Sequence, residues 1–290
     1  AVAAAIMALA ADLTSKECRT KAMACIGISI GAAFSIAFIL GPILYAYIGI
    51  KGLFYLSACL SILAIITLLT IVPSPAIKVR NVNPPNLRDI KSVLVNTSLI
   101  KLDISIFSSH LILMANFVAI PITLRDSMQL PTISHWQVYL TAIFASLFIM
   151  VPFIMFGEQL KKENLFLILS ILLIMFSQIG LALFGLSLNF IIIFLILFFG
   201  AFNYLEALLP SKVSKTTQKN TKGTALGVYS TSQFIGIFIG GLAGGFFYQQ
   251  FGLISVHLFC LFITFLWLLL ILFFSKNENL GKNELEEEAV

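Results

Sequence analysis

Long apolar runs alternate along the chain with short polar connections, and the runs have the length that a bilayer sets. A helix needs about 20 apolar residues to cross a hydrocarbon core of about 30 Å. Spans are predicted over residues 22–47, 53–72, 102–124, 138–156, 165–186, 190–209, 222–252 and 253–274. A ninth run, AVAAAIMALAA at residues 1–11, is too short to cross and is expected to be the tail of a helix that begins upstream. Lys51-Gly52 is read as the tight turn between the first two spans. Pro73 and Pro75 end the second span, and Pro210-Ser211 is read as the end of the sixth.

The longest polar segment covers 73–101. Its Pro-rich first half reads as a linker, and LRDIKSVLVN in its second half predicts a short amphipathic helix at the membrane surface. The tail from 276 is polar and is expected to be disordered.

The run from Lys222 to Gly252 has a second pattern inside it. Gly236, Gly240 and Gly244 recur in steps of four and share one helix face, with Gln233 one turn earlier and Gly241 and Gly245 alongside. Small residues at this spacing let two membrane helices approach closely, because no Cβ holds the backbones apart. In a soluble helix each such glycine costs about 0.5–1 kcal/mol relative to alanine. In a bilayer the backbone must stay hydrogen-bonded whatever the side chain, so the glycines are tolerated.

Composition excludes a soluble globular chain: 59% of residues are hydrophobic, 11% are charged and the mean hydropathy is +1.02. The net charge of +5 does not point to nucleic acid, because the cations sit in short loops between apolar runs. Numbering those loops alternately puts 16 of the 18 lysines and arginines on one side, leaving Lys51 and Arg125 on the other. The positive-inside rule makes the rich side cytoplasmic, and the C-terminus with it. The four cysteines show no CxxC spacing and no histidine at ligand distance, so they read as small buried hydrophobes and no metal is expected. No phosphate-binding glycine loop, HExxH or GxSxG occurs, so neither an enzyme nor an organic cofactor is expected.

An internal echo relates the two ends. Lys21 opens KAMACIGISIGAAFSIAFILGPILYAYIG, and 201 residues later Lys222 opens the glycine-bearing run, with Ala24 facing Ala225, Ile36 facing Ile237 and Tyr47 facing Tyr248. Six spans separate the two starts, with the long linker between them. That spacing is the mark of two parallel six-span halves.

Gly41-Pro42, in a span with Gly27 and Gly31, is similar to the antiporter motif in the fifth helix of the major facilitator superfamily. Tyr45-Ala46 stands where that pattern has two glycines, and Ala37 replaces another. NYLEALLPSKVSK followed by KGTALGVYSTSQFIG, and LDISIFSSHLILMANFVAIP, resemble the YajR-like bacterial drug-efflux subgroup. The resemblance runs to about Ser275 and implies an N-terminally truncated all-α polytopic membrane protein of the major facilitator type. On that count eight full spans and the end of a ninth are present. Residues 1–72 would hold the end of helix four and helices five and six, 73–101 the cytoplasmic linker, 102–275 helices seven to twelve, and 276–290 a cytoplasmic tail.

The resemblance also implies a function: alternating access, with proton-coupled efflux of a small amphiphilic molecule or drug as a monomer in the bacterial inner membrane. The proton gradient is the implied energy source. Nutrient or metabolite uptake, or an inactive fragment of a transporter, remain open alternatives.

Polar residues inside apolar spans are the candidate site, because each is costly in lipid unless paired or functional. Glu206 is placed about four residues inside the cytoplasmic end of its span, where it is either a proton-linked carboxylate or a partner for a loop cation. Asp103 and His110 are seven apart and share a helix face, which suits a proton relay or simple hydrogen bonding between helices. Asn116, Gln178, Asn203 and Gln233 are candidate cavity contacts or helix glue. His257 is expected at the outer membrane interface. Glu158, Lys161 and Lys162 lie in a cytoplasmic loop where a carboxylate could meet the N-terminus of the span at Lys222 and latch that side, or be a solvated loop. Gly41, Pro42, Gly236, Gly240 and Gly244 are expected at helix contacts, the last three sliding where two bundles change tilt.

Overall fold

The computed structural model describes residues 16–72, 87–217 and 221–287. The short run at 1–11 and the Pro-rich half of the linker lie outside them. Every described element is helical, and seven of the helices are long and apolar enough to cross a membrane. In chain order they are α1 (Lys16–Thr70), α2 (Leu87–Val95), α3 (Thr97–Asp126), a 3₁₀ turn (Thr132–Ser134), α4 (His135–Gln159), α5 (Glu163–Phe184), α6 (Leu188–Thr216), α7 (Lys222–Phe251) and α8 (Leu253–Glu287).

The 55 residues of α1 would reach about 80 Å as one straight rod, far more than a bilayer spans. Gly49 divides them, with φ 64° and ψ −178°. The turn expected at Lys51-Gly52 is therefore made at Gly49, where the missing Cβ makes the left-handed φ accessible. Gly252 divides α7 from α8 in nearly the same conformation, φ 81° and ψ −173°. Both glycine-bearing runs thus end in the same kind of bend. Pro42 lies inside α1, and a Cβ built on Gly41 would meet nothing within 4 Å.

The described residues fall into two compact units. One holds residues up to 84 with Pro131–Leu140; the other holds Pro85–Leu130 and everything from Thr141. In the first, the apolar side chains from Ile39 to Thr70, on either side of the bend at Gly49, are largely exposed. The second has a true core, built where α3 meets α7 and α8 and where α5 meets α6 and α8. Ile106, Ile112, Ile171, Ile174, Phe198 and Trp267 are almost fully buried there.

Local chemistry explains the helix limits. The Asn96 side chain caps α3 by accepting from Ser98 N at 3.0 Å and Leu99 N at 3.3 Å. It also ends the amphipathic helix α2, which lies where LRDIKSVLV predicts it. Within the spans, hydroxyls donate to the carbonyl one turn back, as Ser105 does to Lys101 O (2.7 Å) and Ser170 to Phe166 O (2.8 Å). These hydroxyls, which would be orphaned in lipid, are satisfied within their own helix.

Two expected ends are corrected. Pro210 does not stop the sixth span: α6 continues to Thr216 with the proline inside it. A proline ring removes one donor and leaves the rest of the ladder intact, and membrane helices tolerate that loss. The tail is also not wholly irregular, because the backbone of α8 is helical as far as Glu287. Its Glu, Lys and Leu residues are good helix formers, and no proline interrupts them.

Trp267 Nε1 donates to Ser105 Oγ at 3.1 Å, linking α8 to α3 in the driest part of the unit. Trp267→Phe keeps most of the packing and orphans neither backbone, so a loss of about 0.5–1.5 kcal/mol is expected, read as the unfolding midpoint in detergent.

Candidate functional site

Three helices of the second unit bring one polar cluster together, well inside the ends of each helix. His110 lies 13 residues into α3, Gln233 11 residues into α7, and Glu206 10 residues before the end of α6. At 1.5 Å per residue these are depths of about 15–20 Å from the lysine-rich ends of their helices. Glu206 is ten residues inside its helix end rather than about four, because the helix runs on through Pro210 to Thr216.

Hydrogen bonding assigns the imidazole. His110 Nδ1 is 3.2 Å from Ile106 O, and a carbonyl can only accept, so Nδ1 carries the proton. Nε2 is then the acceptor, and the Gln233 amide Nε2 donates to it at 2.8 Å. Glu206 Oε1 lies 3.6 Å from the same His110 Nε2, too far for a hydrogen bond and close enough for an ion pair. That oxygen is buried with no hydrogen-bond partner. The Glu206 side chain nevertheless keeps 39% of its surface open, while that of His110 keeps only 6%. One edge of the cluster is dry and the other faces open space. Phe202, one turn before Glu206, packs edge-on against the His110 ring at 5.2 Å.

Asp103 shares the His110 face, but seven residues place it two turns away, about 10 Å along the axis. The carboxylate beside His110 is Glu206. Tyr229, buried one turn before Gln233, lies within electrostatic reach of both Glu206 and Asp103. Tyr229 and Phe202 were not singled out from the sequence. Their spacing of four from Gln233 and Glu206 was the available signal.

The other candidates sit apart from this cluster. Asn203 Nδ2 donates to Ser146 Oγ at 3.1 Å, joining α6 to α4. Gln178 is fully buried, and its Oε1 accepts from His257 Nδ1 at 3.1 Å, which ties α5 to α8. His257 is therefore not interfacial but buried: Gln178 supplies the partner that makes burial possible. Asn116 is buried on α3 and neither side-chain polar atom has a partner. Glu158, Lys161 and Lys162 stand beside Lys212 and Lys215 of α6, while Lys222 is not among the residues lining their recess. Among the described residues no group of three or more histidines, cysteines or acids is placed to hold a metal.

The glycine face is also resolved. Cβ atoms built on Gly236 and Gly240 would collide with the carbonyl oxygens of Phe107 and Leu111, and one on Gly244 would lie 2.8 Å from Ala115 Cα. The partner is thus α3 of the same unit, and the two helices run parallel, in register over two further turns. The neighbour of the glycine face is a helix within one unit rather than, as expected, one across two bundles. Backbone against backbone leaves no side chain to yield. Gly241 meets only Met114 Cγ at 3.6 Å, and Gly245 meets nothing.

The profile of the Major Facilitator Superfamily matches residues 1–241 and, in a second match, 102–289. The inner membrane transport protein YajR of Escherichia coli (strain K12) is 39% identical over 271 residues, covering 92% of this chain and 59% of that protein. An uncharacterized transporter of Buchnera aphidicola subsp. Acyrthosiphon pisum is 35% identical over 243 residues, covering 83% of this chain and 62% of its own length. Another, from Buchnera aphidicola subsp. Baizongia pistaciae, is 30% identical over 271 residues and covered to 68%. The chain spans about three-fifths of the length of the first two relatives.

Proposed function

The chain belongs to the Major Facilitator Superfamily, and from that premise we propose that it acts as a secondary transporter in which a proton drives export of a small amphiphilic molecule by alternating access. The names of its relatives, a transport protein and two transporters, support transport over enzymatic chemistry. Its apolar helices make it a multi-pass membrane protein, and the lysine bias supports a cytoplasmic C-terminus.

The observation that carries proton coupling is the shared position around His110 Nε2. With the imidazole neutral, the Gln233 amide donates to that nitrogen. A proton arriving there turns it from acceptor into donor. The Gln233 amide can then no longer donate there, and the Glu206 carboxylate, 3.6 Å away, becomes the partner of a cation. One proton thereby changes which of α6 and α7 holds α3. A charge left unpaired at this depth is costly, about 2.5–3.5 kcal/mol on insertion scales, so the two arrangements are distinct states. The open flank of Glu206 gives protons and substrate access to the same group.

The test is flux in proteoliposomes containing the full-length protein. A fluorescent amphiphile is followed while a pH gradient of either sign is imposed. Gradient-driven flux that reverses with the sign is expected, and it should fall about tenfold or more in His110→Ala. Flux indifferent to the gradient would refute proton coupling. Flux down the substrate's own gradient into the cytoplasmic side alone would favour uptake.

A further inference from the structure

We propose that the recess between the α4–α5 connection and the last turns of α6 binds the phosphodiester headgroup of an anionic membrane lipid. The recess holds about 440 Å³, enough for a headgroup. Four lysines, Lys161, Lys162, Lys212 and Lys215, line it together with Glu158 and Glu163, a formal excess of two positive charges. Glu163 engages Lys215 at 3.3 Å and Lys212 at 3.7 Å, and Lys212 also bonds Asn164 Oδ1. Among the described residues Lys161 and Lys162 make no ion pair. Both residues are exposed, so their ammonium groups are open to an anion.

A second observation comes from the floor. A small chamber of about 50 Å³ shares Glu158, Glu163 and Lys215 with the recess, and Tyr204 and Ser211 line it. The Tyr204 ring is fixed edge-on against Phe153 at 5.6 Å, and the residue is only 2% exposed. Its hydroxyl has no hydrogen-bond partner. Lysine ammonium groups and a phenol hydroxyl all need acceptor oxygens, and a phosphate presents several. The hydroxyl is sealed from bulk water, so a phosphate oxygen or a water meets it only by entering the chamber.

Position selects the lipid over a soluble phosphate. The 29 residues of α6 extend about 43 Å, so its last turns, with Lys212 and Lys215, stand at headgroup level beyond a core of about 30 Å. Met155, Phe156, Leu160 and Leu165 are exposed on the adjoining ends of α4 and α5, where acyl chains would lie. A free phosphate has no use for that apolar border. The lysine-rich side is also the one whose leaflet attracts basic segments through its anionic lipids.

The experiment measures the thermal unfolding midpoint of the purified protein in detergent supplemented with phosphatidylglycerol, phosphatidylcholine or inorganic phosphate. A higher midpoint in phosphatidylglycerol than in the other two is expected. The difference should vanish in Lys161→Gln/Lys162→Gln/Lys215→Gln and persist in the matching arginine triple, which keeps the charge and reports that the site still folds. Tyr204→Phe should weaken the titrated response about tenfold, and Glu158→Gln should strengthen it. Equal midpoints in the two lipids, or a preference retained by the glutamine triple, overturns the proposal. An equal response to inorganic phosphate also overturns it, by assigning the recess to a soluble anion.

Discussion

Glu206→Gln is expected to cut gradient-driven flux by about one to two orders of magnitude while leaving the protein folded. Glutamine has the shape of the carboxylate, so the contact with the His110–Phe202 pair survives. What disappears is the negative charge 3.6 Å from His110 Nε2. With the imidazole neutral, that charge has no role in holding the ring, because Gln233 fills the position at 2.8 Å. With the imidazole protonated, it is the partner that makes the cation tolerable in the span. The substitution therefore acts on one of two states. A charge-assisted contact is worth about 1.5–3 kcal/mol, which lowers the protonated population by about 10–100-fold. Flux driven by an imposed pH gradient in proteoliposomes should fall by that factor, while helix content and elution as a single species stay unchanged. Wild-type flux with a wild-type response to the gradient would remove Glu206 from the mechanism. Gln233→Leu gives the complementary result. It removes the partner of the neutral state, so its coupling defect should be greatest where His110 is unprotonated, at the alkaline end of the pH range.

The sequence made the helices readable for a physical reason. A bilayer offers the backbone no partner but itself, so an apolar run of sufficient length has one outcome: α3 to α8 each cover their predicted span to within two residues, while α6 and α8 run on well past it. The chemistry was readable in part. Glu206, His110 and Gln233 stood out as polar groups in apolar runs, yet nothing in the chain says that residues 110, 206 and 233 meet. Their meeting depends on how α3, α6 and α7 pack, and placing Glu206 about four residues from its helix end came from treating Pro210 as a stop. In water that reading has force. In a span one missing donor does not end a helix whose other hydrogen bonds have no alternative.

His257 was misplaced for a related reason. An imidazole near a helix end suggests an interface until a buried partner, here Gln178, satisfies it. The glycine stripe announced a close approach but not its partner, because Phe107, Leu111 and Ala115 offer α7 their backbone rather than their side chains. No residue type advertises a bare backbone.

That same contact gives the largest expected effect on stability. Gly240→Ala puts a methyl group onto Leu111 O and 2.8 Å from Leu111 Cα in its closest approach to the α3 backbone. The obstacle is main chain, so relief requires the two helices to separate. Overpacking a tight contact costs about 1–3 kcal/mol, and Gly240→Leu should exceed that range. Two controls isolate the cause. Gly245→Ala and Gly227→Ala add the same methyl on the same helix where nothing lies within 4 Å. Each should be neutral or should stabilise by up to about 1 kcal/mol through helix propensity. Unfolding midpoints in detergent compare the three. Separation also stretches the His110–Gln233 bond, which crosses between these two helices at 2.8 Å. Gly240→Ala should therefore lose gradient coupling at temperatures where it is still fully folded, whereas Gly245→Ala keeps it. A Gly240→Ala protein as stable and as tightly coupled as Gly245→Ala would mean that α3 and α7 do not hold each other backbone to backbone, and the mutual fixing of His110 and Gln233 would need another origin.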